Sequence, residues 1–309
     1  MCNERQVDKL KSSNSKRINE LLGKTVTTIC GLLVIAIVIM IVIFITYKGL
    51  STFLVNHISP IEFFISSSWN PELPPSDGGP KVGAFVFIYG SVLVSTLALI
   101  ISAPLSAGTA IFITEIAPKW GQKVLQPIIE LFVGIPSVVY GWVGLSVLVP
   151  FIRNNIGGYG MSVLAGSIVL SIMIFPTITS VMVDSLKALP FDLNEASYAL
   201  GATRWQTIAR VLLPAALPGM LTGIILGLAR GLGEALAVQM VIGNTPGKIP
   251  TSILDPAHTM TSIITMDMGN TVMGTLANNA LWSIALLLMI ISLIFIILIR
   301  VIGKRRVYR

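Results

Sequence analysis

Long uncharged apolar runs set the pattern of this chain. Thr25–Tyr47 is one, the later part of Val82–Thr114 a second, Leu131–Ile152 a third, and part of Asn154–Val183 a fourth. A fifth runs from Val211 to about Gly243 and is interrupted only by Arg230 and Glu234; Met268–Ile299 contains a sixth. Each can supply the roughly 20 residues a helix needs to cross the hydrocarbon of a bilayer. None shows the alternating polarity of a barrel strand, so the spans are helices. The pattern predicts an all-α, polytopic membrane protein with six transmembrane helices.

Composition agrees. The 309 residues are 54% hydrophobic and 11% charged, against about a quarter charged in a soluble domain. The basic residues set the orientation. Of 21 Lys and Arg, sixteen fall before the first span, around Lys119 and Lys123, between Lys187 and Arg210, and from Arg300 onward. Only Lys48, Lys81, Arg153 and Lys248 fall on the other side, and Arg230 lies inside a span. Basic residues concentrate on the cytoplasmic side, which puts both termini and the loop at 184–215 there. The net charge of +7 is thus topological: the basic tails meet membrane lipid, and nucleic acid is not a partner. Residues 1–24 read as a polar, weakly patterned cytoplasmic tail, 25–303 as the six-span domain, and 304–309 as a short basic tail. Cys2 and Cys30 are too differently placed to pair.

Between the fourth and fifth spans the pattern changes to two short capped helices. Asp192 with Glu195 three residues on reads as a capping box, as does Thr203 with Gln206. Gly201 ends the first helix by tolerating a left-handed backbone, and Pro214 is expected to stop the second. Leu193, Ala196, Ala199 and Leu200 share one face, and Trp205, Ile208, Ala209 and Leu212 another. Such a pair either docks on a cytoplasmic partner or lies on lipid headgroups.

The fifth span carries the chemistry. Gly219, Gly223, Gly227 and Gly231 recur every four residues and form a smooth stripe that a neighbouring backbone or a passing solute can approach. Arg230 and Glu234 are spaced one turn apart beside it. A charge in hydrocarbon costs at least about 2.5 kcal/mol, so neither faces lipid. They form either a structural ion pair or an anion site in which the planar guanidinium grips an oxyanion. Pro136 in the third span frees a carbonyl, giving a kink or a pore-lining break. The outer segment 48–81 and its Trp69 either only connect spans or meet a soluble partner. Asn244–Asp267 reads as an outer loop with room for a short helix.

Other chemistries find no support. Gly23-Lys24-Thr25 has Ile18 where a phosphate loop needs its first Gly, so the chain is not expected to hydrolyse ATP. His57 and His258 are isolated on outer loops without metal-ligand spacing. No catalytic residue, metal or cofactor is expected.

Several segments carry a resemblance. Glu195-Ala196-Ser197, Gly201, Ile208 and Leu213-Pro214 resemble the EAA loop of binding-protein-dependent ABC transporter permeases. Ser197 stands where that family name implies Ala. Ser68-Trp69-Asn70-Pro71, Glu115-Ile116-Ala117-Pro118, Glu130 through Gly141, and Arg230-Gly231-Leu232-Gly233-Glu234 followed by Met240 through Asn244 look like the phosphate-uptake branch. The Ser-x-Trp-x-Pro loop favours its PstC-type subunit. Ala229 and Ala235 differ from the family habit but leave the charged pair intact. The resemblance covers roughly residues 25–305. It implies a type I importer permease in the cell (inner) membrane that forms half of a pore for inorganic phosphate. It also implies a PstA-like second permease, two copies of a PstB-like ATPase, and an extracytoplasmic phosphate-binding protein. On it, Glu195, Ala196, Gly201, Ile208, Leu213 and Pro214 couple to the ATPase, and Arg230, Glu234, Gly227 and Gly231 line the substrate path. The competing reading is a gradient-driven secondary anion transporter using Arg230 and Glu234, which would have no use for the helix pair.

Overall fold

The computed structural model describes residues 2–307, with side chains described for most of 19–301. Two compact units divide it, Met1–Lys48 and Gly49–Arg309. The first unit is the greater part of helix α1 (Cys2–Leu54). This helix begins at Cys2, so the segment before Thr25 is helical rather than irregular. From Asn19 through Phe44 its residues are exposed.

In the second unit, α2 (Pro60–Ile65) and a two-stranded antiparallel sheet organise the outer segment. Strand β1 (Trp69–Asn70) pairs with β2 (Lys81–Val82) in the register Trp69 to Val82. Then follow α3 (Phe85–Ile111), α4 (Lys119–Gly134), α5 (Ser137–Val143), α6 (Val149–Asn155) and α7 (Val163–Lys187). The chain continues through α8 (Asp192–Ala199), α9 (Arg204–Thr207), α10 (Leu213–Gly233), α11 (Leu236–Ile242), α12 (Met260–Asp267) and α13 (Leu276–Val307). Six helices among the described residues are long and apolar enough to span: Asn19–Leu54, Phe85–Ile116, Ser137–Asn155, Val163–Lys187, Arg204–Gly233 and Leu276–Ile297.

The most buried span is α7, and α3 and α10 pack on it through Val94, Ala98, Leu170, Ile174, Ile178 and Ala216. The glycine stripe explains the closeness of α10. A Cβ on Gly219 would overlap Ser185, one on Gly227 would overlap Ile178, and one on Gly231 would touch Ile174 at 3.5 Å. Without a hydrophobic force to drive helices together in lipid, such small-residue seams supply the close packing. A second core joins the outer segment to α12 and α13 through Phe63, Val82, Phe87, Met260 and Leu281.

Among the described residues three π turns break the helical register: Phe112–Ile116, Gly144–Leu148 and Ile208–Leu212. The latter two precede Pro150 and Pro214 directly. Here Val149 and Leu213 donate five residues back, to Gly144 and Ile208. A proline inside an α-helix lacks the donor and clashes with the carbonyl four residues back. The widened turn resets the register so that each proline sits at the start of a fresh α segment. Pro214 therefore does not stop its helix, as its sequence suggests; Arg204 to Gly233 run through as one span. The third span also differs from expectation. The chain leaves the helix after Gly134 and restarts with Pro136 as N-cap of α5. Glu130–Gly134 thus belong to the separate amphipathic helix α4, and the span begins at Ser137.

Candidate functional site

Two regions collect the residues singled out in the sequence. The first is the helix pair α8–α9. Phe191, not Asp192, occupies the N-cap of α8, with no side-chain cap. Asp192 and Glu195 instead put negative charge in the first turn, where the helix dipole favours it. The end of α8 is as expected: Gly201 has φ +78. Its N–H donates to Tyr198 O at 2.9 Å and that of Ala202 to Ser197 O at 3.2 Å, the paired bonds of a Schellman motif. The capping box of α9 forms in full between Thr203 and Gln206. The two helices are tied by the buried hydroxyls of Ser197 and Thr207, 2.9 Å apart. This gives Ser197 a bond that Ala could not make. Ile208 and Leu212 are buried in the main core, which anchors the pair to the span that follows. The opposite side is left uncovered: Leu200 is 89% exposed and Trp205 65%, with Phe191, Tyr198, Ala196 and Ala199 also exposed.

The second region is a break in the membrane at Glu234. The sequence suggests one helix through Gly243, but α10 ends at Gly233 and Glu234 is extended (φ −73, ψ 124). Arg230 and Glu234 are thus not stacked on one helix. Arg230 Nη1 donates to Thr177 Oγ1 of α7 at 2.9 Å. The Glu234 carboxylate turns the other way and accepts the Ala237 N–H, 3.2 Å from Oε1, serving as a cap for α11. Thr261 Oγ1 of α12 donates to the Glu234 carbonyl at 2.9 Å. Both residues are half-buried. Beside Glu234 is a hollow of about 10 Å³ lined by Ser91, Ser95, Thr259 and Thr261, room for about one water. Gly227 and Gly231 are buried in the seam with α7, against the side chains of Ile178, Ile174 and Leu170. Gly141 gives the break its close neighbour: a Cβ there would lie 2.8 Å from Met240 Sδ and 2.9 Å from Ala237 Cα.

The short helix for which Asn244–Asp267 left room is α12, but the histidine before it is not isolated on a loop. His258 is 2% exposed, and its Nδ1 lies 2.9 Å from Ser262 Oγ. Burial pushes its pKa down to about 4. Thr259 as N-cap with Ser262 at N3 was a visible signal for a helix start, hidden by the Ser in place of the usual Glu or Gln.

The described residues thus combine six helices long and apolar enough to span a membrane, a helix pair with an uncovered apolar face, and a polar break in the fifth of them. A similar fold is seen in the crystal structure of a bacterial ABC transporter involved in the import of the acidic polysaccharide alginate, at 18% identity over 72% of this chain and 79% of that one, with a TM-score of 0.55. The chain belongs to the family described as binding-protein-dependent transport system inner membrane component, matched over residues 103–308. It is thus a multi-pass permease subunit of the type I ABC importer fold. It is 54% identical to the probable ABC transporter permease protein YqgH of Bacillus subtilis, covering 96% of this chain and 95% of that one. It is 32% identical to the phosphate transport system permease protein PstC of Mesorhizobium japonicum, covering 82% and 80%. This membership does not favour the gradient-driven carrier.

Proposed function

We propose that the chain forms half of the translocation pore of an ATP-driven importer of inorganic phosphate. On this reading it acts with a PstA-like permease, two PstB-like ATPases and an extracytoplasmic phosphate-binding protein, and both its termini are cytoplasmic. The observation that carries the reading is Arg230. It is the one Lys or Arg within the six apolar runs of the sequence, half-buried beside a helix break, and its bond to Thr177 uses one of five N–H donors. A fixed guanidinium in a low-dielectric passage suits an oxyanion. Glu234, turned away to cap α11, leaves that charge uncompensated when the anion arrives. The PstC relative supports phosphate as the anion.

Glu195, Ala196, Gly201, Ile208, Leu213 and Pro214 form the coupling element. Closure of the ATPases pushes the uncovered face of α8–α9. Because Arg204–Gly233 is one continuous helix, the push reaches Arg230 at its far end. Arg230→Gln, in the complete complex in vesicles, is expected to abolish phosphate uptake while all subunits still co-purify. Uptake at the wild-type rate would overturn the role given to Arg230.

A further inference from the structure

α12 joins two places that the reading above treats separately. Its C-terminal residue Asp267 lines a cavity of about 300 Å³ on the outer side, together with Trp69, Asn70 and Glu72. Near its N-terminus, Thr261 holds the Glu234 carbonyl. An unbroken set of contacts runs between them. The Trp69 ring meets Phe87 edge-on at 5.1 Å, and Phe87 meets the His258 ring in the same way at 5.1 Å. His258 Nδ1 meets Ser262 Oγ, and Ser262 and Thr259 exchange reciprocal cap bonds, Thr259 N to Ser262 Oγ at 3.0 Å and Ser262 N to Thr259 Oγ1 at 3.2 Å. Thr259 Oγ1 lies 3.2 Å from Thr261 Oγ1. Thr259 Oγ1 donates to Ser262 Oγ at 2.8 Å and Ser262 Oγ to the Thr259 carbonyl at 3.0 Å, while Thr261 donates to the Glu234 carbonyl.

The set is clamped on both sides, to the span α3 and to α11. Met260 N donates to Ser91 Oγ of α3 at 2.8 Å, and Thr265 Oγ1 donates to Gln239 Oε1 of α11 at 2.8 Å. A Cβ on Gly90 of α3 would overlap the His258 carbonyl, so only glycine lets α3 come this near. Ser262 and Met260 are fully buried and Thr259 is 4% exposed. Nothing in the helix-break chemistry itself requires this construction, since Glu234 already caps α11 with its own carboxylate.

We propose that Thr261, backed by the His258–Ser262–Thr259 hydrogen bonds, is a positioning residue that couples the outer cavity at Trp69 to the helix break at Glu234. An extracytoplasmic partner seated in the cavity touches Trp69 and the end of α12 together, and the rigid helix carries the displacement to the peptide after Gly233. The inference rests on the transport reading for its physiological meaning but not for its physical content, so two tests separate them.

The first is hydrogen exchange at the Ala237 amide, bonded to Glu234 Oε1, in the purified complex. Thr261→Val removes the bond to Glu234 and Thr261→Ser keeps it. Exchange about tenfold faster in Thr261→Val, near wild type in Thr261→Ser, and faster again in Trp69→Ala is expected, tenfold being the size of one lost hydrogen bond. Unchanged exchange in Trp69→Ala would overturn the coupling whatever the chain transports. The second uses ATP-driven phosphate uptake in vesicles with saturating binding protein. Thr261→Val and Trp69→Ala are each expected to lower the maximal rate about tenfold, Thr261→Ser to restore it, and the double variant to be no slower than the slower single one. Losses that multiply would show two independent sites and sink the proposal. Wild-type vesicles that ignore the binding protein would sink the transport reading and leave the exchange result standing.

Discussion

At the scale of single residues, buried polar groups separate what pattern reveals from what only packing decides. His258 is held neutral in the outer core, its pKa pushed down to about 4 by burial. The unfolded chain takes up a proton near 6.5 and the folded one only near 4. The stabilisation is therefore complete above pH 6.5 and falls as the pH drops toward 4, by up to about 1.4 kcal/mol per pH unit. Melting curves of wild type and His258→Gln across this window should converge in slope only above pH 6.5; parallel curves throughout would mean that His258 does not titrate on unfolding. Arg230 and Glu234 were legible as charges that must avoid lipid. Their separation was not, because a four-residue spacing places them together only if the helix continues, and here it ends at Gly233.

At the scale of elements, the caps were the most readable features where side chain and backbone agree. Thr203 with Gln206 and Gly201 do what their residue types dictate. Asp192 does not, because Phe191 takes the helix entry and leaves Asp192 one position inside. Replacing Gly201 by Ala forces a Cβ into a left-handed turn with open space around it, costing about 1 kcal/mol of stability. The expected consequence is a lower melting temperature with assembly retained. Pro214 shows the limit of reading breakers one residue at a time, since a π turn absorbs it. Gly227 makes the opposite point. Its four-residue repeat was clear, but its partner was not: the seam faces Ile178 of α7. Gly227→Leu should destabilise the bundle by about 1–3 kcal/mol through overpacking, whereas Thr222→Leu, on the exposed side of α10, should leave the melting temperature within about 1 °C.

At the scale of the whole molecule, six spans could be counted from uncharged runs because hydrocarbon demands length and apolarity and little else. The segments that do not cross were harder. α4, α12 and the β1–β2 hairpin are held by contacts with distant residues, such as Trp69 on Phe87 and Met260 on Ser91, which no local window contains. Of these, α12 and the β1–β2 hairpin carry the contacts that run from Trp69 to the helix break. Uptake of labelled phosphate into vesicles holding the complete complex, with ATP supplied inside and no ion gradient, tests the account most directly. Uptake that requires both ATP and the extracytoplasmic binding protein, and that vanishes in Arg230→Gln, is the result expected. Uptake that persists without ATP and follows a proton or sodium gradient would contradict it.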